Sequence, residues 1–394
     1  MNLRPLALHL AHVDIRTDGR IRKQLDACRD LESVRVEAIG IDREEVGLAV
    51  LPIKGVRIDS LKLKMCSPIG RFRSLRYSII LFEMILRMVP MAVARRPTVV
   101  HCHDALVLPI AAFIKLLTNC ALVYDAHELE SCKSGQSRVM SIVTLFIERA
   151  CWRMVDTLIS VSPPILQWYR ERLGPKQSVL VLNSPIHSKV KDRSTFQLRY
   201  FHQCFGIPLD QKVFIYLGIL GRGRGIIQLL AAFGEPLTRS HIVFVGYRDS
   251  VGVAEAAKNF PNIHIHPAVP HDQVVDLARE ADVGLCLIEN VSLSDYLCLP
   301  NKLFEYAFAG VPVLASRLPE IVKVVNRYNL GICCDNDVES IRNAVRKIEQ
   351  DGLEKPQGDL SELSWETQAK RLQDAYRMLL GDGARLAPNS KGND

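Results

Sequence analysis

Short apolar runs recur along the chain, and longer stretches with helical spacing lie between them. In the first half, six such runs predict strands at 6–13, 34–41, 98–104, 121–128, 157–162 and 178–184. The intervening stretches predict helices at 21–31, 74–94, 106–117 and 138–155. Alternation of this kind is typical of parallel strands joined by helical crossovers.

The same alternation begins again after a polar stretch at 185–212. Six further runs predict strands at 213–220, 241–246, 263–269, 283–290, 311–316 and 330–335. We therefore predict an α/β protein with two Rossmann-like, doubly wound parallel-sheet domains, at 1–190 and 191–363. Ligands of open parallel sheets bind beyond the carboxyl ends of the strands, so a central cleft faced by both domains is the expected site.

The segment at 364–382 has the pattern of one amphipathic helix, with Ser364 as its N-cap. We expect this helix to cross back to the N-terminal domain. The polar residues at 383–394 predict a disordered tail.

Composition and charge narrow the classes of function. A net charge of +7 without a basic block argues against a nucleic-acid partner and fits a phosphorylated small molecule or an anionic membrane. Eleven cysteines without metal-site spacing predict buried thiols in a reducing compartment. The N-terminus lacks the apolar core of a signal peptide, and the longest apolar stretch is interrupted by Glu83, Arg87 and Pro90. We expect a cytoplasmic protein, soluble or peripheral on a membrane.

A glycine-rich turn follows the strand predicted at 213–220. It contains Gly218, Gly221, Gly223, Gly225, Arg222 and Arg224, and a helix is predicted from Ile226. Glycines let a backbone approach a ligand closely, and a helix N-terminus attracts anions. The two arginines add fork-shaped donors suited to phosphate oxygens. The spacing differs from the dinucleotide-binding GxGxxG pattern, and a plain connector with two solvated arginines is the alternative.

The stretch "LPNKLFEYAFAGVP" predicts a second anion-binding turn, opening a helix at 301–309 that ends at Gly310. Asn301, Lys302 and Leu303 would offer first-turn N–H groups, and Lys302 adds a positive charge. Glu305 lies one turn further, where a carboxylate can accept two hydrogen bonds from a ribose diol. An ordinary helix with Glu305 stabilising its N-terminal dipole is the alternative, but two such turns in one half favour a phosphate ligand.

These motifs resemble those of a known family. "RGIIQLL", "PNKLFEYAFAGVPVLAS", "LPEI" and "NLGI" are similar to the C-terminal nucleotide-sugar domain of family 4 GT-B glycosyltransferases. The resemblance continues upstream in "VVHCHD", "LVYDAHELE", "VLNSP" and "LRYFHQCFGIPLDQKVFIYLG" and covers nearly the whole chain. It implies two Rossmann-like domains, an N-terminal one that binds the acceptor and a C-terminal one that binds the nucleotide sugar.

The resemblance also implies roles for single residues. Arg224 stands where the family has a diphosphate-binding Lys or Arg, and Glu305 stands at the second Glu of its Glu-x7-Glu motif. Leu297 replaces the first Glu of that motif, with Glu289 and Asp295 as nearby carboxylates. Ile219 replaces a second basic ligand, for which Arg222 or Lys302 can substitute. The expected donor-binding set is Gly218, Arg222, Arg224, Gly225, Glu289, Asn301, Lys302, Leu303 and Glu305.

In the N-terminal half, "YDAHELE" places His127 and Glu128 just after a strand. His127 matches a family position beside the reacting sugar, so the two are the expected catalytic residues; an exposed helix-cap region is the alternative. In "HCHD", two histidines and Asp104 suggest a metal, but strand alternation and the lack of a second ligand cluster argue against it. We expect Asp104 to cap a helix and His103 to contact the acceptor. The other expected acceptor-binding residues are Asp14, Arg16, Asp18, Gly19 and Arg20, for which a solvated loop is the alternative.

A basic and apolar segment at 71–96 suggests a membrane contact through Arg71, Arg73 and Arg76, with a crossover helix on the sheet as the alternative. Taken with the resemblance, the sequence predicts a retaining hexosyl- or N-acetylhexosaminyl-transferase that uses a nucleotide-diphosphate sugar. The expected acceptor is a saccharide, lipid-linked, in cell-surface polysaccharide biosynthesis, and no cofactor or metal is required. A nucleotide-sugar epimerase of the same fold and a non-catalytic nucleotide-sugar-binding partner are the alternatives.

Overall fold

The computed structural model describes residues 4–42, 52–64, 73–186, 199–234 and 238–381, without the side chains of 73–78. The chain divides into two compact units. The first contains 1–131, 138–181 and 369–394, and the second contains 132–137 and 182–368. The tail predicted at 383–394 lies outside the described residues.

The first unit is built on a seven-stranded parallel sheet. Its strands are β1 (Leu6–Leu10), β2 (Arg35–Ile41), β3 (Arg57–Leu61), β4 (Val99–His103), β5 (Ala121–Ala126), β6 (Thr157–Ser160) and β7 (Gln177–Leu180). Their order is β3-β2-β1-β4-β5-β6-β7, so the winding reverses between β1 and β4. Every residue of β1 and β4 is buried, as expected for central strands covered by helices on both faces.

Helices connect these strands. They are α1 (Gly19–Arg29), α2 (Arg73–Arg95), α3 (Leu108–Thr118), α4 (Arg138–Cys151) and α5 (Pro163–Leu173). The Asp18 side chain accepts a hydrogen bond from the Ile21 N–H at 2.9 Å and so caps α1. None of the helices in the described part of the chain is both long and apolar enough to cross a bilayer.

The second unit repeats this arrangement with six parallel strands. They are β8 (Val213–Ile219), β9 (His241–Tyr247), β10 (Ile263–Pro267), β11 (Val283–Cys286), β12 (Val313–Ser316) and β13 (Gly331–Cys334), in the order β10-β9-β8-β11-β12-β13. The helices are α6 (Tyr200–Phe205), α7 (Ile226–Phe233), α8 (Val253–Asn259), α9 (Val274–Ala278), α10 (Leu293–Tyr296), α11 (Asn301–Ala309), α12 (Pro319–Arg327) and α13 (Val338–Asp351).

Local packing explains the close fit of α11 to this sheet. The ring of Tyr306 lies against Gly284, where an added Cβ would approach the ring Cγ to 2.3 Å. The Tyr306 hydroxyl accepts from the Leu217 N–H at 3.2 Å and lies 3.0 Å from the Ile215 carbonyl oxygen, to which it donates. One side chain thereby ties α11 to β8 and β11, and Gly310, with φ +68°, ends the helix as predicted.

The last helix, α14 (Trp365–Leu380), begins after Ser364, whose hydroxyl accepts from the Thr367 N–H at 3.3 Å. From residue 369 onward this helix belongs to the first unit. The Gln373 amide donates to the Ala27 carbonyl of α1 at 2.8 Å, which attaches the C-terminal segment to that unit.

The expected α/β class and both parallel sheets are confirmed, and all six strands predicted in each half are present. Strand β3 was missed because it is an edge strand with mostly polar, half-exposed residues. Helix α5 was missed as well. The helix predicted at 138–155 ends at Cys151, and a short 3₁₀ turn, Trp152–Met154, completes that stretch.

Candidate active site

The winding of the second sheet reverses between β8 and β11, the position where open parallel sheets bind their ligands. The glycine-rich turn follows β8, and residues 287–289 follow β11. Gly223 and Gly225 have φ angles of +77° and +65°, which favour glycine. A Cβ on Gly225 would also lie only 2.7 Å from the Leu287 Cβ, so this turn needs glycine for two reasons.

Glu289 holds the glycine-rich turn in place. Its carboxylate accepts from the Gly225 N–H at 3.1 Å, and its own N–H donates to the Gly223 carbonyl at 3.1 Å. This double contact gives Glu289 a structural task in addition to the donor contact we expect of it. Asp295, the other candidate carboxylate, is buried and accepts from the Ser292 hydroxyl at 2.6 Å within its own turn.

Lys302 has the most unusual environment among the donor-binding candidates. Its ammonium nitrogen is buried, lies 3.8 Å above the Tyr216 ring centroid and has no hydrogen-bond partner in the described part of the chain. A buried cation without an anionic partner is costly, and an anionic ligand would remove that cost. The Leu303 N–H, expected to bind the donor, already donates to the Pro300 carbonyl at 3.1 Å, so Asn301 and Lys302 are the remaining first-turn candidates.

The charges of three donor-binding candidates reach Cys286, the last residue of β11. Burial raises the pKa of the Cys286 thiol to about 12, and the charges of Lys302, Arg224 and Glu305 all act on that thiol. Two basic groups that stem from different turns therefore both influence one buried thiol. Arg222 is exposed, and Gly218, with φ +121°, has open space around it.

Glu305 is 8% exposed on α11, and His271 faces it with Nδ1 3.8 Å from the carboxylate. His271 was missed in the sequence because it lies in a short 3₁₀ turn without a recognisable motif. The carboxylate of Glu305 therefore has an imidazole within ion-pair distance on a neighbouring turn.

A second polar cluster lies in the first unit, where the winding reverses between β1 and β4. Arg20 forms a buried ion pair with Asp125, its two donors lying 2.7 and 3.1 Å from the carboxylate oxygens, and its third donor reaches the Val181 carbonyl. The Gln24 amide donates to the same carboxylate at 2.7 Å. Burial alone would raise the pKa of Asp125, but Arg20 and His127 hold it well below its usual range.

His127 lies between two carboxylates. Its Nε2 is 3.1 Å from Asp125 and its Nδ1 is 3.5 Å from Asp104. Burial lowers its pKa, but the charges of Asp104 and Asp125 outweigh burial and raise it to about 9. The ring is therefore a cation near neutral pH, and it can donate a hydrogen bond or stabilise negative charge.

Asp104 has an unusual backbone, with φ +69° and ψ 159°, a conformation that costs about 1–3 kcal/mol outside glycine. The prediction that it caps a helix was wrong, because its side chain makes no capping bond to the turn Ala105–Val107. The backbone instead turns its carboxylate toward His127 and His12.

We expect His127 to titrate with a midpoint near pH 9 when its ring is followed by NMR. Because the folded pKa exceeds the unfolded value of 6.5, His127 stabilises the fold fully below pH 6.5, and this contribution is lost as the pH rises through about 9. Asp104→Asn should lower the midpoint, because one of the two carboxylates loses its charge. A midpoint near 6.5 in the unsubstituted protein would contradict this assignment.

Behind His127, three histidines form a buried string. The Nδ1 of His103 lies 3.3 Å from His127 Nε2, and its Nε2 lies 3.0 Å from His9 Nδ1. The Tyr376 hydroxyl of α14 lies 3.3 Å from His9 Nε2 and 2.8 Å from His101 Nδ1. Burial lowers the pKa of His9 and His103, and that of His101 to about 3. Each ring then carries one proton, as a string of ring–ring hydrogen bonds requires.

Two groups of three side chains in this string lie close enough to hold a metal ion: His9, His101 and His103, and His103, Asp125 and His127. The sequence offered no second ligand cluster beside "HCHD", and the fold supplies one. The His9 and His101 rings are stacked, with centroids 4.4 Å apart. Arg20 is ion-paired with Asp125, and the ring nitrogens of His9 and His103 already face hydrogen-bond partners, so that the expectation of no metal stays a prediction.

The remaining candidates of the first unit lie at the edge of this cluster or apart from it. Arg20 and His103, expected to contact an acceptor, are buried and lie behind His127. Asp14 binds the Arg16 guanidinium through two bonds, of 2.8 and 2.6 Å, and Asp18 caps α1 just before Gly19. Glu128 is exposed.

Two family models match this chain. A Glycosyl transferase 4-like domain matches residues 19–184, and Glycosyl transferases group 1 matches residues 211–351, so most of the chain is covered. The chain belongs to the family 4 GT-B glycosyltransferases.

The relatives of this glycosyltransferase are distant in sequence. A Bacillus subtilis (strain 168) protein, provisionally named the teichuronic acid biosynthesis glycosyltransferase TuaC, is 24% identical over 152 residues, 39% of this chain and only 36% of the relative. A D-inositol 3-phosphate glycosyltransferase of Corynebacterium diphtheriae is 23% identical over 327 residues, 74% of this chain and 72% of the relative.

Solved structures share the fold at still lower identity. Sucrose-phosphate synthase from Thermosynechococcus elongatus has a TM-score of 0.75 at 16% identity and covers 95% of this chain and 99% of its own. Anabaena Alr3699/HepE in complex with UDP-glucose has a TM-score of 0.67 at 12% identity. This match covers 96% of this chain and 100% of the HepE chain. At these identities the likeness is one of fold.

Proposed function

We propose that this glycosyltransferase moves a sugar from a nucleotide-diphosphate sugar to a saccharide acceptor with retention of configuration. The observation that carries the proposal is the buried ammonium of Lys302, which lies over the Tyr216 ring and has no hydrogen-bond partner among the described residues. The charges of Lys302 and Arg224 both act on Cys286 at the carboxyl end of β11. A diphosphate supplies the charge that this position lacks, and Glu305 is placed for the hydroxyls of the attached ribose.

Relatives and neighbours support this donor class. The HepE structures contain UDP or UDP-glucose, and the Corynebacterium diphtheriae relative is named for transfer to an inositol phosphate. The TuaC relative is named for teichuronic acid biosynthesis, which supports a role in polysaccharide biosynthesis. We propose a lipid-linked saccharide as the acceptor. The base and sugar of the donor stay open.

In the proposed reaction, the bond between the anomeric carbon and the diphosphate oxygen breaks, and the acceptor hydroxyl bonds to the same face of that carbon. The acceptor proton passes to the departing diphosphate oxygen, which balances the step. Arg222, Arg224 and Lys302 stabilise the charge on that oxygen, and no metal is required. The cationic His127 donates a hydrogen bond to the sugar, and exposed Glu128 stays the second catalytic candidate.

We propose that Asp14, Arg16, Asp18 and Gly19 approach the acceptor, while buried Arg20 and His103 act by holding Asp125 and His127 in place. The contact with a membrane surface that the sequence suggests involves Arg71, Arg73 and Arg76. Arg71 lies outside the described residues, and the other two lie on α2 where side chains are not described.

The test incubates the full chain with a panel of nucleotide-diphosphate sugars, with and without a lipid-linked saccharide. We expect nucleoside diphosphate release that requires the acceptor. His127→Ala should leave donor affinity unchanged and lower turnover by roughly 100-fold or more, because hydrogen-bond donation to the reacting sugar is lost. His202→Ala, which removes a histidine from the second unit, is the matched control.

Other outcomes identify the alternatives. Inversion of the free nucleotide sugar without an acceptor would show an epimerase. Binding without release or inversion would show a non-catalytic binding partner, an alternative that Leu297 in place of the first Glu keeps open. An unchanged turnover of His127→Ala would contradict the assigned role of the imidazole.

A further inference from the structure

Helix α4 carries its apolar side chains on the outside. Val139, Ile142, Val143 and Phe146 recur at helical spacing along one face and are between 42% and 69% exposed. The opposite face buries Glu148, whose carboxylate accepts from the Tyr124 and Tyr169 hydroxyls at 2.8 and 2.5 Å. A helix on the surface of a soluble domain normally has the reverse arrangement.

The two neighbouring helices extend this feature. Helix α2 packs on α3, and α3 packs on α4. Large side chains more than two-fifths exposed recur one turn apart on each of them: Phe82, Leu86, Phe113, Leu116 and Leu117. We call these nine side chains on three adjacent helices the apolar face. Soluble monomers rarely leave so many neighbouring large apolar side chains in water, so the face is expected to be covered by something.

The charges on these helices indicate what covers it. Among the described side chains of α2, α3 and α4, the only acidic ones are Glu83 and Glu148, and both are buried. Arg138 and Arg149 are exposed at the two ends of α4, and Arg87 of α2 is about one-third exposed. Next to these helices, Asp156 is partly exposed and pairs with Lys115 of α3, so the exposed charges that remain on α4 are arginines. An apolar surface edged mainly by cations complements an anionic bilayer, whose headgroups attract arginine while its acyl boundary accepts Phe, Ile and Leu.

We propose that the apolar face docks this protein onto an anionic lipid bilayer. Helices α3 and α4 lie in the interface, with Phe113, Ile142 and Phe146 entering the acyl boundary and the arginines among the phosphates. This surface differs from the one that the sequence suggests at Arg71–Arg76, although α2 contributes to both. The proposal assigns the membrane contact of the proposed function to the apolar face. Docking needs no nucleotide sugar, so it can be tested separately from transferase activity.

The test measures flotation of the full chain with vesicles of phosphatidylglycerol and phosphatidylcholine in equal parts, and with vesicles of phosphatidylcholine alone. We expect flotation with the anionic vesicles and at least tenfold weaker binding to the neutral ones. Ile142→Glu with Phe146→Glu should weaken binding to the anionic vesicles at least tenfold. Leu209→Glu with Met378→Glu makes the same change in net charge at exposed apolar sites outside the face and should bind like the unsubstituted chain.

Three results would overturn the proposal. The first is no flotation of the unsubstituted chain with either kind of vesicle, and the second is flotation of the Ile142/Phe146 variant equal to that of the unsubstituted chain. The third is a dimer in light scattering that this variant converts to a monomer, because the face would then be covered by a second copy. A thermal melt of each variant checks that the substitutions leave the fold intact. Donor turnover with a water-soluble acceptor is measured in parallel, so loss of docking and failure of the transferase assignment give different results.

Discussion

Lys302→Met is expected to abolish most of the affinity for nucleoside diphosphates without destabilising the protein. Loss of one partner of a buried charge pair costs about 2–5 kcal/mol, which corresponds to a roughly 30- to 4,000-fold increase in the dissociation constant. The free protein should be as stable as before or more stable, because methionine keeps the packing over Tyr216 and removes a buried charge that has no described hydrogen-bond partner.

Calorimetric titration with UDP, GDP and ADP, together with urea unfolding of the free protein, measures both effects. Lys258→Met removes a 73% exposed lysine from the same unit and is the matched control, with no change expected in either quantity. If Lys302→Met binds the preferred diphosphate as tightly as the unsubstituted chain, the donor site lies elsewhere. A loss of both affinity and stability would instead indicate that Lys302 has a structural role.

Arg20→Met is expected to lower the free energy of unfolding by about 3–5 kcal/mol, because the buried carboxylate of Asp125 loses its two-bond partner and keeps as a charged partner only His127, which also faces Asp104. Asp125 is fully buried and Arg20 is 5% exposed, so water cannot replace the lost partner. Methionine keeps most of the side-chain volume, and the loss therefore reports mainly the charge. In the unsubstituted protein, Arg20 holds the pKa of Asp125 low. Without Arg20 that carboxylate takes up a proton more readily, so the loss of stability should shrink as the pH falls.

Urea unfolding followed by circular dichroism measures this effect. Arg239→Met breaks the exposed pair with Asp210 and should cost less than about 1 kcal/mol. Adding Asp125→Asn to Arg20→Met should recover part of the stability, because no unpaired charge remains. A loss below 1 kcal/mol for Arg20→Met alone would show that the pair does not hold the first unit together.

The histidine string also explains why the C-terminal helix matters to the first unit. Tyr376 lies between His9 and His101, although 367 residues separate it from His9 in the chain. No local pattern in the sequence connects these residues. The string gives α14 a polar contact with the centre of the first sheet in addition to its apolar packing.

Local patterns determined much of this protein. The twelve predicted strands, the glycine-rich turn and the helix after "LPN" follow from apolar periodicity and from the backbone preferences of glycine and proline, which act over a few residues. Lys302, Arg224 and Glu305 became donor-binding candidates from two such motifs and from the family resemblance, and their roles stay predictions.

Only the tertiary structure decided which distant residues meet. Arg20 and Asp125 are 105 residues apart, and His9 and His103 are 94 apart, so their pairing depends on the order of strands β1, β4 and β5. The outward apolar face of α4 was equally hidden, because periodicity shows that a helix has two faces but not which one the sheet covers. There, the two tyrosines that bind Glu148 turn the polar face inward.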